Sequence, residues 1–139
     1  MKKHIILTAI ITFAAIMVFA ACSKKDDTPA APQITLTEVG HDNSFRATAG
    51  DDMHLEANIV AEGLIQSINV ELHLEEGGDY EIEQAYTEGK YIGIRNTEFH
   101  EHIDIPADAP EGEYHLHFTV TDRSGQQTTA TAHVDIEQE

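Results

Sequence analysis

The sequence predicts an all-β fold: an antiparallel β-sandwich of about seven strands, filling residues 33–139 behind an apolar leader and a short tether. Three observations predict it. From Gln33 onward apolar residues recur at every second position, the period of a strand with one buried face. Clusters of Gly, Pro, Asp and Ser separate the runs, and no stretch sustains a helical period.

The elements follow in order. Over 33–39, Ile34 and Leu36 alternate with Thr35 and Thr37. Over 52–60, Met53, Leu55, Ala57 and Ile59 alternate with His54, Glu56 and Asn58. Over 66–75, Ile68, Val70, Leu72 and Leu74 alternate with Asn69, Glu71, His73 and Glu75. Over 98–105, Phe99, Ile103 and Ile105 alternate with His100, His102 and Asp104, and Glu101 breaks the apolar side. Over 113–121, Tyr114, Leu116, Phe118 and Val120 alternate with His115, His117, Thr119 and Thr121. Over 128–137, Ala130, Ala132, Val134 and Ile136 alternate with Thr131, His133 and Asp135. The less regular stretch from Tyr80 to Arg95 is expected to supply an edge hairpin or a long connection. Tyr114 follows Glu111-Gly112-Glu113 and opens a long strand. It resembles the tyrosine corner of immunoglobulin-like domains, which makes the expected sandwich immunoglobulin-like.

The N-terminus predicts an address. Lys2 and Lys3 precede an apolar run from Ile5 to Val18, and Phe19-Ala20-Ala21 places small residues before the only cysteine, Cys22. The arrangement resembles the lipobox of bacterial lipoproteins. It implies a signal peptide over 1–21, a lipidated Cys22, a flexible tether over 22–32 and one domain over 33–139. Several acyl chains on one residue give stable membrane anchoring, at about 0.8 kcal/mol per buried CH₂. An uncleaved spanning helix is the competing reading of the apolar run, which is short for that purpose. Ser23-Lys24-Lys25-Asp26-Asp27 resembles the export signal of surface-exposed Bacteroidetes lipoproteins, so the expected location is the outer membrane, facing outward; an ordinary solvated tether, with the domain facing the periplasm, is the competing reading.

Composition excludes several classes of function. Cleavage before Cys22 leaves 118 residues, enough for one core-bearing domain. With its only thiol lipidated, the chain has no disulfide, zinc-thiolate or cysteine-nucleophile chemistry. The formal charge is −17, and loss of Lys2 and Lys3 leaves 6 basic against 25 acidic residues, a net of −19. Such a chain repels phosphate backbones, which excludes nucleic acid as a partner, and it favours cations. Ser44, Ser67 and Ser124 lie in no nucleophile-elbow context, and no phosphate-binding Gly loop or cleft-facing carboxylate pair is evident. The domain is therefore expected to bind rather than catalyse, as a monomer. Acidic pairs at predicted turns, Asp51-Asp52 and Glu75-Glu76, read as solvation.

Histidine is the exception to this plainness. Of the eight that remain beyond His4, seven fall inside predicted strands, all on the polar face. In an immunoglobulin-like order the strands 66–75, 113–121 and 128–137 are neighbours. His73, His115, His117 and His133 should then converge at one end of their sheet. On the other sheet the strands 52–60 and 98–105 pair antiparallel, bringing His54 and Glu56 toward His100, His102 and Asp104. Directly opposed residues have Cβ atoms about 4.5–5.5 Å apart, close enough for two side chains to share an ion. Imidazole with carboxylate suits a divalent transition metal, so a Zn or Cu ion is the cofactor expectation. The competing readings are a solvated face on which histidines merely recur, and a face that gains charge near pH 6. The alternative functional reading places recognition of a glycan or envelope protein on Tyr80, Tyr86 and Tyr91, as an exposed aromatic platform.

Two His-x-His segments carry one further resemblance. They are Asn96 to Pro106, with His100-Glu101-His102, and Gly112 to Asp122, with His115-Leu116-His117; Met53-His54-Leu55-Glu56-Ala57 accompanies them. Together they resemble a family of Bacteroidetes lipoproteins carrying the domain of unknown function 4625, over about Pro32 to Glu137. The resemblance implies a cell-envelope address and an immunoglobulin-like fold. It implies no activity and no catalytic residue.

Overall fold

The structure, a computed structural model, describes residues 27–139. The expected signal peptide and Cys22 lie outside the described residues. Among those described, no helix is long and apolar enough to cross a membrane.

The predicted sandwich is present. The strands are β1 (Gln33–Val39), β2 (Arg46–Thr48), β3 (Asp52–Val60), β4 (Ile65–Leu74), β5 (Glu81–Tyr86), β6 (Asn96–Asp104), β7 (Gly112–Asp122) and β8 (Gln127–Glu137). They form a three-stranded sheet in the order β1-β3-β6 and a five-stranded sheet in the order β2-β8-β7-β4-β5. Alternation drives this outcome. The apolar positions of β3, β4 and β7 are buried while their polar neighbours face outward. Phe99 of β6 and Phe118 of β7 meet between the sheets edge to face, ring centroids 4.9 Å apart. The Tyr114 hydroxyl donates to the Pro110 carbonyl at 2.8 Å, the tyrosine corner expected from the sequence.

Two elements were not readable from period alone. β5 is a single edge strand paired antiparallel with β4, where an edge hairpin or a long connection was expected within 80–95. β2 was not anticipated: three residues are too few to show a period, and they pair parallel with β8. A turn carries the chain from one sheet to the other. It contains Gly40, Asp42, Asn43 and Phe45 at positive φ (75°, 53°, 53° and 57°). Only glycine fits the first position, where a Cβ would stand 2.6 Å from the Arg46 carbonyl oxygen.

The tether expectation is corrected at its end. Pro32 is buried, Pro29 accepts a hydrogen bond from the Gln126 amide, and the Ala30 N–H donates to Glu62 at 3.3 Å. Residues 29–32 are thus fastened to the domain beside the 61–64 and 122–126 turns. Proline there adds rigid apolar surface and needs no partner for a missing N–H.

Strand direction sets the two ends of the molecule apart. Gln33 pairs with Val60 at the tether end, and Asp52 pairs with Asp104 at the other. The end of β4, the start of β7 and the end of β8 also meet away from the tether, where Leu74 pairs with Tyr114 and Tyr114 with Val134.

Candidate metal centre

The outer face of the three-stranded sheet is built by register. β3 and β6 align His54 with His102 and Glu56 with His100, as strand order predicted. One member escaped the sequence reading. Simple alternation puts Glu38 in phase with Leu36, on the apolar face. A bulge at Thr37 shifts the register so that Leu36 pairs with Ala57 and Glu38 with Glu56. The extra residue reverses the phase, turning Val39 inward and Glu38 outward. The signal was present in the sequence: Val39 breaks the parity of Ile34 and Leu36.

Each of three imidazoles then has a carboxylate on Nδ1. Glu38 lies 3.0 Å from His54 Nδ1, Glu56 lies 3.1 Å from His100 Nδ1, and Asp52 lies 3.1 Å from His102 Nδ1. An ionised carboxylate only accepts, so each contact places a proton on Nδ1, and in the neutral ring Nε2 is then the lone-pair nitrogen. The Nε2 atoms of His54 and His100 face each other at 2.9 Å. Two lone pairs cannot meet at that distance without a cation between them, either a proton or a metal ion. The His54, His100 and His102 donor atoms all lie within 4.8 Å of one another. Zn–N bonds of about 2.0–2.1 Å place tetrahedral ligands about 3.3 Å apart, so an ion needs the first two rings to part by only a few tenths of an ångström. Glu56 also reaches His54 Nε2 at 3.3 Å, close enough to serve as a fourth donor.

The electrostatics agree with the geometry. The hydrogen bond to His54 holds the Glu38 carboxyl below its usual range against a partial desolvation. The hydrogen bond to His102, with help from His41, does the same for Asp52. Asp52 was expected merely to solvate a turn and instead bridges His102 and His41, 3.4 Å from His41 Nε2. Asp104, expected in this cluster, pairs in register with Asp52, and Asp52 serves His102 in its place. His41 was missed because it lies in the turn after β1. Its ring stands 6.0 Å from His54 and 6.2 Å from His102.

His100 is also fixed from behind. The Tyr91 hydroxyl accepts from the His100 N–H at 3.2 Å and lies 3.1 Å from the His100 carbonyl, covering the open edge of β6. Glu101, the break in the apolar pattern, accepts from Tyr91 at 2.6 Å and pairs with Lys90 at 2.8 Å. Burial works against its ionisation, and the contacts with Lys90 and Tyr91 outweigh that, so its carboxyl is held low.

The tyrosine platform is corrected by this placement. Tyr91 is 4% exposed, and its ring packs on Phe99 at 5.0 Å. Tyr86 is half-buried against the same ring at 5.1 Å, and burial pushes its hydroxyl up to about 12. Tyr80 is half-buried and donates to Asp108 at 2.9 Å. The three side chains anchor the 80–95 segment to the core, because a strand edge and an open core flank need aromatic cover more than the solvent face does.

On the five-stranded sheet, register aligns His73 with His115 and His115 with His133. The four expected imidazoles do gather, but they divide. His115 and His133 share Glu75, while His73 turns to Glu71 at 3.6 Å and Glu81 at 3.7 Å. His117 sits one rung inward and meets His73 and His115 through ring contacts at 5.3 and 5.5 Å.

Fold and site together define a β-sandwich whose end remote from the tether carries carboxylate-backed histidines on its outer faces. The family described as "Domain of unknown function (DUF4625)" matches residues 20–137, and the chain belongs to it. No curated protein matches the chain in sequence. Among solved structures, a Niemann-Pick type C2 protein from the Japanese carpenter ant is similar at a TM-score of 0.48 and 7% identity, over 81% of this chain and 98% of that one.

Proposed function

We propose that this protein is a lipid-anchored cell-envelope module that binds a divalent transition-metal ion, Zn or Cu, through His54, His100 and His102. The observation that carries the reading is the pair of opposed Nε2 atoms at 2.9 Å, each ring backed by a carboxylate on Nδ1. Metal-binding histidines commonly have this backing, because it fixes the tautomer and raises the basicity of the ligand nitrogen. Imidazole donors with carboxylate support favour Zn, Cu or Ni over Mg or Ca.

Polarity along the sandwich supports the envelope part. The tether is fastened at one end and the histidines lie at the other, so an anchor on Cys22 would hold the site away from the bilayer. The acidity of the chain adds repulsion from anionic lipid and attraction for cations. His54 is partly shielded while His100 and His102 are about half exposed, which suits exchange of an ion with solvent more than a closed structural site.

The test is calorimetric titration of the untagged protein with Zn²⁺ and Cu²⁺ at about pH 7.5 and about pH 5.5. Sub-micromolar affinity that weakens at the lower pH and disappears in His54→Ala/His100→Ala supports the reading. Affinity no tighter than millimolar, or unaffected by that pair of substitutions, overturns it.

A further inference from the structure

The other outer face carries a cluster that the first centre does not use. We propose that Glu75, His115 and His133, with Glu113 beside them, form a second and independent site for a divalent ion, built from mixed nitrogen and oxygen donors.

Three strand ends assemble it. His115 of β7 and His133 of β8 are paired in register, with ring centroids 4.4 Å apart. Glu75 follows the last residue of β4 and is held by its own backbone, whose N–H donates to the Glu113 carbonyl at 2.9 Å. One oxygen of Glu75 then lies 3.3 Å from His115 Nδ1 and 3.4 Å from His133 Nδ1. Tetrahedral ligands around Zn stand about 3.3 Å apart, so an ion fits between these atoms once it displaces the Nδ1 protons that the carboxylate contacts hold. An oxygen of Glu113 is 2.5 Å from the same His133 nitrogen.

The chemistry differs from that of the first centre. There Glu38 and Asp52 lie behind the rings, three nitrogens converge on the ion, and only Glu56 also reaches its shell. Here a carboxylate oxygen stands in the same shell as the ring nitrogens, so Glu75 itself is a ligand and Glu113 is positioned to be the second oxygen donor. Two imidazoles and two carboxylates favour Zn or Co over a soft ion such as Cu(I). The side chains of His115, His133 and Glu113 are 43%, 58% and 50% exposed, much like His100 and His102, so the weaker binding expected here follows from two imidazole donors in place of three and from the absence of a ring as shielded as His54. The second site does not depend on the first, because the two lie on the outer faces of different sheets.

The experiment is Co²⁺ and Zn²⁺ titration of the full chain in detergent micelles, without a His tag, followed by calorimetry and by Co²⁺ absorption. The expected result is two ions per chain in two affinity classes. His115→Ala/His133→Ala should remove the weaker class alone, and His54→Ala/His100→Ala the tighter one alone. Glu75→Gln should weaken the second class by at least about tenfold, as loss of a ligand charge predicts. A single class that survives His115→Ala/His133→Ala overturns this proposal and leaves the first centre standing. A single class abolished by that pair sinks the first centre and upholds this one. Unchanged thermal unfolding in each variant shows that the fold has not been lost.

Discussion

His54 and His100 sit on neighbouring strands with their Nε2 atoms 2.9 Å apart, and a different carboxylate occupies each Nδ1. Glu38 is the carboxylate behind His54. Removing it frees the ring to adopt either tautomer and to rotate. Glu38→Ala should therefore lower Zn²⁺ affinity by about 10–100-fold while leaving all three imidazoles in place. Direct loss of a ligand, as in His100→Ala, should cost more. Calorimetry on the two variants checks the order, and equal affinities in Glu38→Ala and the parent would sink the role given to Glu38.

Tyr91 links the core to the metal face. Its hydroxyl serves both backbone groups of His100 and also Glu101, while its ring covers Phe99. Tyr91→Phe keeps the ring and deletes the hydroxyl, leaving the His100 edge and a half-buried carboxylate short of a partner. The expected cost is about 1–3 kcal/mol of stability, with a smaller loss of metal affinity because His100 is then held less firmly. Thermal unfolding and Zn²⁺ titration of the same preparation measure both. Tyr114→Phe is the control: it loses the bond to Pro110 and about 1 kcal/mol, with no change in metal affinity.

The depressed carboxyls set a pH dependence. Glu38 and Asp52 ionise more readily in the fold than in the unfolded chain, chiefly through His54 and His102. Their contribution is therefore fully present above the ordinary carboxylate range and is lost as pH falls through their folded values. Stability should decline as pH drops below about 4.5, and Glu38→Gln should flatten that decline. Denaturant melts between about pH 6 and pH 3 test it; identical slopes in parent and variant would show that Glu38 is not a source.

Much of this was legible because strand alternation fixes both a face and a register. His54, His102, Glu56 and His100 could be paired from sequence, since two antiparallel neighbours of known order admit few registers that keep Met53, Leu55 and Phe99 buried. His73, His115 and His133 follow by the same logic. Three kinds of residue were not legible. Glu38 depends on a bulge that leaves no turn signal and shows only as the parity break at Val39, which alternation read strand by strand passes over. His41 depends on a turn whose path is set by positive-φ residues, not by any period. Tyr91 lies in a connection with no regular pattern, so its burial follows from the open flank of Phe99, which only the assembled sandwich shows.

The bulge itself can be tested. Thr37 is the residue without a partner in the β1–β3 register. Deleting it leaves Leu36 directly followed by Glu38 and Val39, an unbroken alternation in which Glu38 still points outward and Val39 inward. Such a deletion should fold, keep Glu38 beside His54 and hold Zn²⁺ within a few-fold of the parent. A loss as large as that of Glu38→Ala would mean that the added twist of the bulge, and not merely the phase it restores, aims Glu38 at the ring. A chain that fails to fold would mean instead that β1 needs the bulge to reach the turn at Gly40, whose backbone hydrogen bond to His54 ties the two elements at 2.8 Å. Circular dichroism separates that outcome from the affinity change, and Zn²⁺ titration then reads the position of Glu38 directly.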